Sequence, residues 1–205
     1  MVNGSPPQVI TMWELYGCGM EQVAARVASR LNLPLHGQAF SSEQIEESMA
    51  QREREGSFGR FLRHLVPAAI PTSSAADAAI EEARTVEDTA REVSDDVNAF
   101  ADEGGVILGR NGAFLLHDRP RSLHVKLVGR TAARVARAAQ IFGISEDQSA
   151  RRQPLEDDFR RELSQKIFRF DPTGDDYYDL VIDATRFDED EVVELIVAAA
   201  TARAR

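Results

Sequence analysis

The sequence holds a single cysteine, Cys18, in 205 residues. That excludes a disulfide framework within one chain and fits a reducing compartment. No apolar run approaches the roughly 20 residues of a membrane span. Residues Met1 to Gln8 are polar, carry Pro6 and Pro7, and lack both a basic n-region and an apolar h-region, so they do not read as a signal peptide. A soluble, cytoplasmic protein without a membrane partner is expected. Positive charge is scarce: the formal net charge is -10. A general nucleic-acid binder is more often basic, so a nucleic-acid partner is not expected. An acidic total still permits a small anionic ligand, because local arginines can dominate a cleft. The histidines, His36, His64, His117 and His124, are scattered without metal-ligand spacing, and no metal centre is expected from them. Internal repeats and low-complexity tracts are absent.

What is present is a chain with 43% hydrophobic and 28% charged residues, long enough for one α/β domain with its own core. Val9 to Trp13 is a β-branched apolar run that reads as a buried strand. Tyr16 to Gly19 form a turn, and Glu21 to Leu31 carries Val23, Ala24, Val27, Ala28 and Leu31 on one helical face. A second short strand is expected within Asn32 to Phe40, and a helix over Ser42 to Gln51. Gly56 to about Phe100 reads as a helical insertion, with Phe58, Phe61, Leu62, Leu65 and Val66 as an apolar stripe and Thr85 to Phe100 as a second, acidic helix. Such a stripe suits packing on the chain's own core or burial against a second copy in a two-fold homodimer. Gly105 to Gly109 and Leu123 to Val128 are further strands. Thr131 to Phe142 is a helix that Gly143 closes. Ser145 with Gln148, and Asp188 with Glu191, form capping-box patterns for two more helices. Leu180 to Ala184 is the fifth strand. The alternation predicts an α/β three-layer sandwich: a five-stranded parallel sheet covered by helices on both faces. Ligands of such sheets bind at the carboxyl ends of the strands.

Three constellations lie at those ends. The first is the turn Glu14-Leu15-Tyr16-Gly17-Cys18-Gly19-Met20-Glu21-Gln22. A glycine turn between strand and helix exposes backbone N–H groups to phosphate oxygens, yet the lysine and the Ser/Thr of a full P-loop are missing. The same residues suit a tight structural turn. Cys18 sits near a helix start, where a thiol pKa can fall, without a sequence-local histidine to make it a nucleophile. The second is Gly109-Arg110-Asn111, where a planar guanidinium follows a buried strand and could grip a phosphate or pair in a salt bridge at the sheet edge. The third is an arginine set: Arg130, Arg134 and Arg137, then Arg151, Arg152, Arg160 and Arg161. Phosphoryl transfer needs cations around the transferring group. A solvated helix laced with ion pairs would have the same composition. Asp157 with Arg160 and Asp158 with Arg161 offer two equivalent registers of acid and arginine one turn apart.

Four segments, "VITMWELYGCGMEQVAARVASRLNLPL", "GGVILGRNGAFLL", "LHVKLVGRTAARVAR" and "YYDLVIDATRFDEDEVVELI", together resemble the cytidylate kinase-like family, a branch of the P-loop nucleoside monophosphate kinases. The resemblance covers nearly the whole chain. It implies one P-loop-kinase-like domain over 1–205, with an acceptor-binding helical insertion at 41–100 and an arginine-rich, lid-like segment at 145–175. It implies phosphoryl transfer from ATP with Mg2+ to a nucleoside monophosphate such as CMP or dCMP. Gly17, Cys18, Gly19 and Met20 would take donor phosphates. Arg110 and Asn111 would face the acceptor nucleotide, and Arg137 and Arg151 would assist. Arg160 or Arg161, with Arg134, would neutralise charge during transfer. Arg151 to Arg169 is expected near the glycine loop and mobile without ligand, and replacing Arg160 and Arg161 together by Ala is expected to abolish nucleotide affinity and leave the melting temperature nearly unchanged.

This chain also departs from the family pattern. Met20 stands at the P-loop lysine position, a lysine that members of the family often lack too, and Gln22 at the Ser/Thr position. Where relatives commonly carry arginines beside the loop, this chain has Glu14 and Glu21, and no lysine or arginine precedes Arg26. A Tyr-Asp pair after the first helix is replaced by His36-Gly37, and the Asp of cytidylate kinases by Asn111. Two carboxylates beside a triphosphate would repel it, unless magnesium bridges them. A nucleotide-sensing or interaction protein without catalysis, on the same fold, is therefore the second reading, and an unrelated α/β binding module the third.

Overall fold

The computed structural model describes residues 7–38 and 75–204. The expected helix over 42–51 and the apolar stripe Phe58, Phe61, Leu62, Leu65 and Val66, with the dimer it would serve, lie outside the described residues.

Strand β1 (Val9–Glu14) leads into helix α1 (Met20–Leu31), followed by the short β2 (Leu35–His36). Helix α2 (Ala75–Glu103) precedes β3 (Gly105–Leu108), the one-turn α3 (Gly112–Leu115) and β4 (Ser122–Val128). Helices α4 (Thr131–Phe142) and α5 (Glu146–Phe168), then β5 (Leu180–Asp183) and α6 (Glu189–Arg203), complete the order. The strands form one sheet in the order β2-β3-β1-β4-β5, and each of the four pairings is parallel. The predicted five-stranded parallel sheet is therefore present.

Every residue of β1 is buried because helices cover both faces of the sheet. On one face α1 and α6 close over Ile10, Met12, Val125, Leu127 and Ile182, with Val23, Val27, Val193 and Ile196 interleaved. On the other, α2 and α3 bring Val97, Ala101 and Leu116 against Val9 and Ile107. The alternate residues of β1 thus feed two separate cores, as a pleated strand requires.

The helix ends follow the local chemistry. Both capping boxes form: Ser145 Oγ accepts from the Gln148 amide and Asp188 from the Glu191 amide, each reciprocated. Gly143, at φ 64°, closes α4 in the left-handed conformation. The charged helix begins at Glu146 and runs unbroken past Pro154. Helix α2 is longer than the acidic helix expected over 85–100. The one-turn α3 has no counterpart among the expected elements, because four residues carry no readable period.

Candidate functional site

The carboxyl end of β1 opens into the loop Leu15–Gly19. Gly17 (φ 82°) and Gly19 (φ 81°) adopt the left-handed region, which L side chains enter only with strain. A Cβ on Gly17 would also lie 2.3 Å from the Arg134 carbonyl oxygen, so this turn and α4 approach as closely as glycine permits.

Two backbone donors at the ends of the loop, the Tyr16 and Met20 amides, are directed at carboxylates of this same chain. Glu14 Oε2 accepts from the Met20 amide at 3.0 Å, at the first turn of α1. Asp157 Oδ1 accepts from the Tyr16 amide at 2.7 Å. An anion at a helix N-terminus is favoured by the exposed amides and the dipole; here Glu14 and Asp157 supply it. Glu14 is buried, and desolvation pushes its pKa up to about 7, against the lowering effect of Arg160 and of the Met20 hydrogen bond. Cys18 is fully buried, and burial, with the charge of Glu14, pushes its thiol upward. A helix-start cysteine with a lowered pKa is thus not what forms here, because lost hydration outweighs the nearby arginines.

Arg134 is also buried. Its guanidinium donates to the carbonyls of Gly129 (3.0 Å) and Tyr16 (2.8 Å) and to Asp157 Oδ2 (3.1 Å). Arg134 therefore holds the loop from beneath, and all three bonds run to the protein. Arg137 donates to the Cys18 carbonyl at 3.1 Å.

Helix α5 decides between the two acid–arginine registers. Asp158 and Arg161 pair with each other on the half-exposed side of the helix, 2.7 Å apart. Asp157 and Arg160 face inward. Arg160 Nη2 lies 2.8 Å from Glu156, whose side chain is 0% exposed. Arg160 Nη1 is buried and has no hydrogen-bond partner among the described residues. Arg151 lies on the exposed face of α5 and borders neither cleft described below.

Two clefts meet at the end of β1. One, over the loop, is lined by Tyr16, Gly17, Gly19, Glu21, Ile141 and Phe142. The other lies between α2 and α5 and is walled mainly by apolar side chains, among them Trp13, Val93, Phe159 and Leu163. Glu14, Met20, Gln38 and Arg160 border both. Arg110 and Asn111 enter the second, each with left-handed backbone. Arg110 is tethered to the Gly37 carbonyl (3.2 Å) and Asp96 (3.2 Å), with its guanidinium 5.3 Å from the Phe100 ring centre. Sequence reasoning did not find Glu156, because a buried glutamate in a run of charges looks like its solvated neighbours. Nor did it find Lys126, a strand lysine whose ammonium bonds Thr173, Gly174 and Asp175 beside Trp13 and Tyr178. Among the described residues no group of three or more His, Cys, Asp and Glu is placed to hold a metal ion. No helix among them is long and apolar enough to cross a membrane.

A strand, a glycine loop and a helix at the centre of a parallel sheet, with an arginine helix over the loop, give the plan of a P-loop kinase. A model of the cytidylate kinase-like family matches residues 9–186. The chain belongs to the cytidylate kinase-like family. A crystal structure of an uncharacterized protein from Eubacterium ventriosum shares the fold, with a TM-score of 0.64 and 19% identity over 96% of this chain and 99% of that one. A gluconokinase from Sinorhizobium meliloti aligns at a TM-score of 0.48 and 13% identity, over 98% of this chain and 95% of that one. Among curated proteins, a uronate isomerase from Corynebacterium glutamicum is 33% identical over 143 residues, 70% of this chain. The match spans about a quarter of that relative's length, 27%.

In this chain a methionine stands where the glycine loop enters α1. Met20 is 2% exposed, packs in the core beneath α1 and also borders both clefts. A lysine there would start from an apolar position, so replacing Met20 alone would not rebuild a phosphate-binding cation without a burial cost.

Proposed function

We propose that this protein transfers a phosphoryl group from ATP to a nucleoside monophosphate of the CMP or dCMP type, with Arg160 at the point of transfer. The observation that carries this reading is the position of Arg160. It borders both clefts, and its buried Nη1 atom has no hydrogen-bond partner among the described residues. A cation where two phosphate-bearing ligands would meet is what phosphoryl transfer asks of a protein. The loop Gly17–Gly19 takes the donor phosphates, with Arg137 beside it. Arg110 and Asn111 face the acceptor, whose base enters the apolar cleft beside Trp13. Arg134 is a positioning residue that fixes Tyr16.

ATP fits the loop in part. The glycines and the helix start are in place, while the Met20 amide is engaged by Glu14. Mg2+ would arrive on the triphosphate, since positions 21 and 22 offer Glu21 and Gln22 rather than a hydroxyl. The ion would neutralise phosphate charge that the loop side chains do not.

A second reading, nucleotide binding without turnover, is favoured by the same two loop contacts. Glu14 and Asp157 already satisfy amides that a phosphate would use. A coupled turnover assay with ATP, Mg2+ and a panel of CMP, dCMP, UMP and AMP tests the first reading. Transfer to CMP or dCMP, lost in Arg160→Gln, is the expected result. Calorimetric binding of nucleotide with no transfer to any acceptor selects the second reading instead.

A further inference from the structure

The end of β1 places a carboxylate where a kinase of this fold receives a phosphate. Glu14 is the last strand residue, and its side chain folds back to accept the Met20 amide proton at 3.0 Å. It borders both clefts together with Arg160. Glu14 is buried, 8% exposed. An incoming phosphate would compete with it for the same amide and for the charge of the nearby Arg160. Both cannot stay charged there, since two anions at contact distance in a poorly hydrated cleft repel strongly.

We propose that Glu14 is a built-in stand-in for the donor phosphate, and that nucleotide binds the loop only as Glu14 takes up a proton and leaves the Met20 amide. The phosphate then takes over the amide, and the neutral carboxyl can donate its proton to a phosphate oxygen. This rests on reading the loop as the nucleotide-phosphate site, and adds the regulation of that site by pH.

The surroundings allow such an exchange near neutrality. Burial is the largest influence on Glu14 and holds its pKa at about 7; Arg160 opposes burial, and Glu156 and Glu21 add to it. The charged groups acting on it are Arg160 and Glu156 on α5 and Glu21 on α1; Asp157 of α5 holds the Tyr16 amide and acts on the neighbouring Cys18. Arg134 and Arg137 of α4 act from behind Cys18. The carboxylates in this shell favour the neutral form of Glu14 once a phosphate takes the Arg160 charge.

The test compares wild type with Glu14→Gln and Glu14→Gly, using ATP with Mg2+ and, as a loop-only probe, inorganic pyrophosphate. Calorimetry in two buffers of different ionisation heat counts protons. At pH 8 wild type is expected to take up close to one proton more than Glu14→Gln, whose own count reports only the ligand's ionisation. Glu14→Gln should bind about tenfold more tightly than wild type at pH 8, and within about twofold at pH 6, because a group titrating near 7 costs one decade per pH unit above that value. Glu14→Gly, which leaves the Met20 amide open, should match or exceed Glu14→Gln and guards against a glutamine that refills the amide. Equal affinities at pH 8 with no excess proton uptake overturn the proposal and leave the kinase reading standing. Excess proton uptake confined to wild type, with no transfer to any acceptor by any of the three proteins, overturns the kinase reading and supports the proposal. Absence of binding of either probe by all three overturns both.

Discussion

Asp157 and Arg134 meet at 3.1 Å beneath the loop, while the other oxygen of Asp157 takes the Tyr16 amide proton at 2.7 Å. This one carboxylate ties α5, α4 and the loop together. It also selects the register in which Arg160, rather than Arg161, faces the cleft.

Removing that tie should be costly. Asp157→Ala leaves the buried Arg134 guanidinium without its carboxylate partner and the Tyr16 amide without its acceptor. Breaking a buried pair costs roughly 3–5 kcal/mol. Asp158→Ala removes only a half-exposed partner of Arg161 and should cost less than about 1 kcal/mol. Urea melts of the two variants check the contrast, and equal losses would make the two registers equivalent after all.

Arg160 and Arg161 should separate in the same way. Arg161→Ala is expected to change neither stability nor nucleotide affinity. Arg160→Ala should lose ATP affinity by tenfold or more, and should also destabilise, because Glu156 is left charged and fully buried. The Arg160–Glu156 pair argues against the expectation that both arginines can be removed without lowering the melting temperature. Arg160→Ala combined with Glu156→Gln should recover much of the stability and none of the affinity.

Glu14 and His124 should bend the pH–stability curve in opposite directions. The folded state holds Glu14 at about 7, above its ordinary 4.5, so it binds more protons than the unfolded chain between those values. Stability therefore falls as pH rises through that window. Glu14→Gln should be more stable than wild type at pH 8 by up to about 3 kcal/mol, a gap closing near pH 4.5.

His124 is buried on β4, with its Nδ1 2.8 Å from the Thr11 hydroxyl. Burial lowers its pKa, against the raising effect of Asp179. The unfolded chain takes up the proton first, so this residue costs stability as pH falls below about 6.5. In a Glu14→Gln background, thermal melts from pH 7.5 to 5.5 should show that loss. His124→Gln in the same background should flatten it.

Gly17→Ala should destabilise by more than the ~1 kcal/mol of an ordinary left-handed glycine. Its new methyl would meet the Arg134 carbonyl oxygen at 2.3 Å. Gly109→Ala has the same sign of φ but open space around its Cβ, and should show the backbone cost alone. A chemical-denaturation comparison of the two isolates the steric part.

The architecture was legible because it rests on local chemistry. Val9 to Trp13 could only be a strand buried on both faces, and Ser145–Gln148 and Asp188–Glu191 could only open helices. The turn Gly17–Gly19 was marked by its glycines. The extent of α2 and the existence of α3 were not legible. The first is carried by an acidic stretch whose amphipathic face is settled by packing on β3, and the second is too short for any period.

The amino-acid sequence by itself determined the order of strands and helices, the absence of a loop lysine, and the excess of acid beside the glycines. Those follow from side-chain period, capping chemistry and residue identity, which need no partner. Only the tertiary structure decided which arginine of α5 meets the cleft, that Arg134 serves the loop's backbone, and that Glu14 occupies the Met20 amide. The reason is that a charge's role depends on what shares its burial. Asp157 and Asp158 are neighbours in sequence with equal chemistry, and a 100° step around one helix sends one to the loop and the other to solvent.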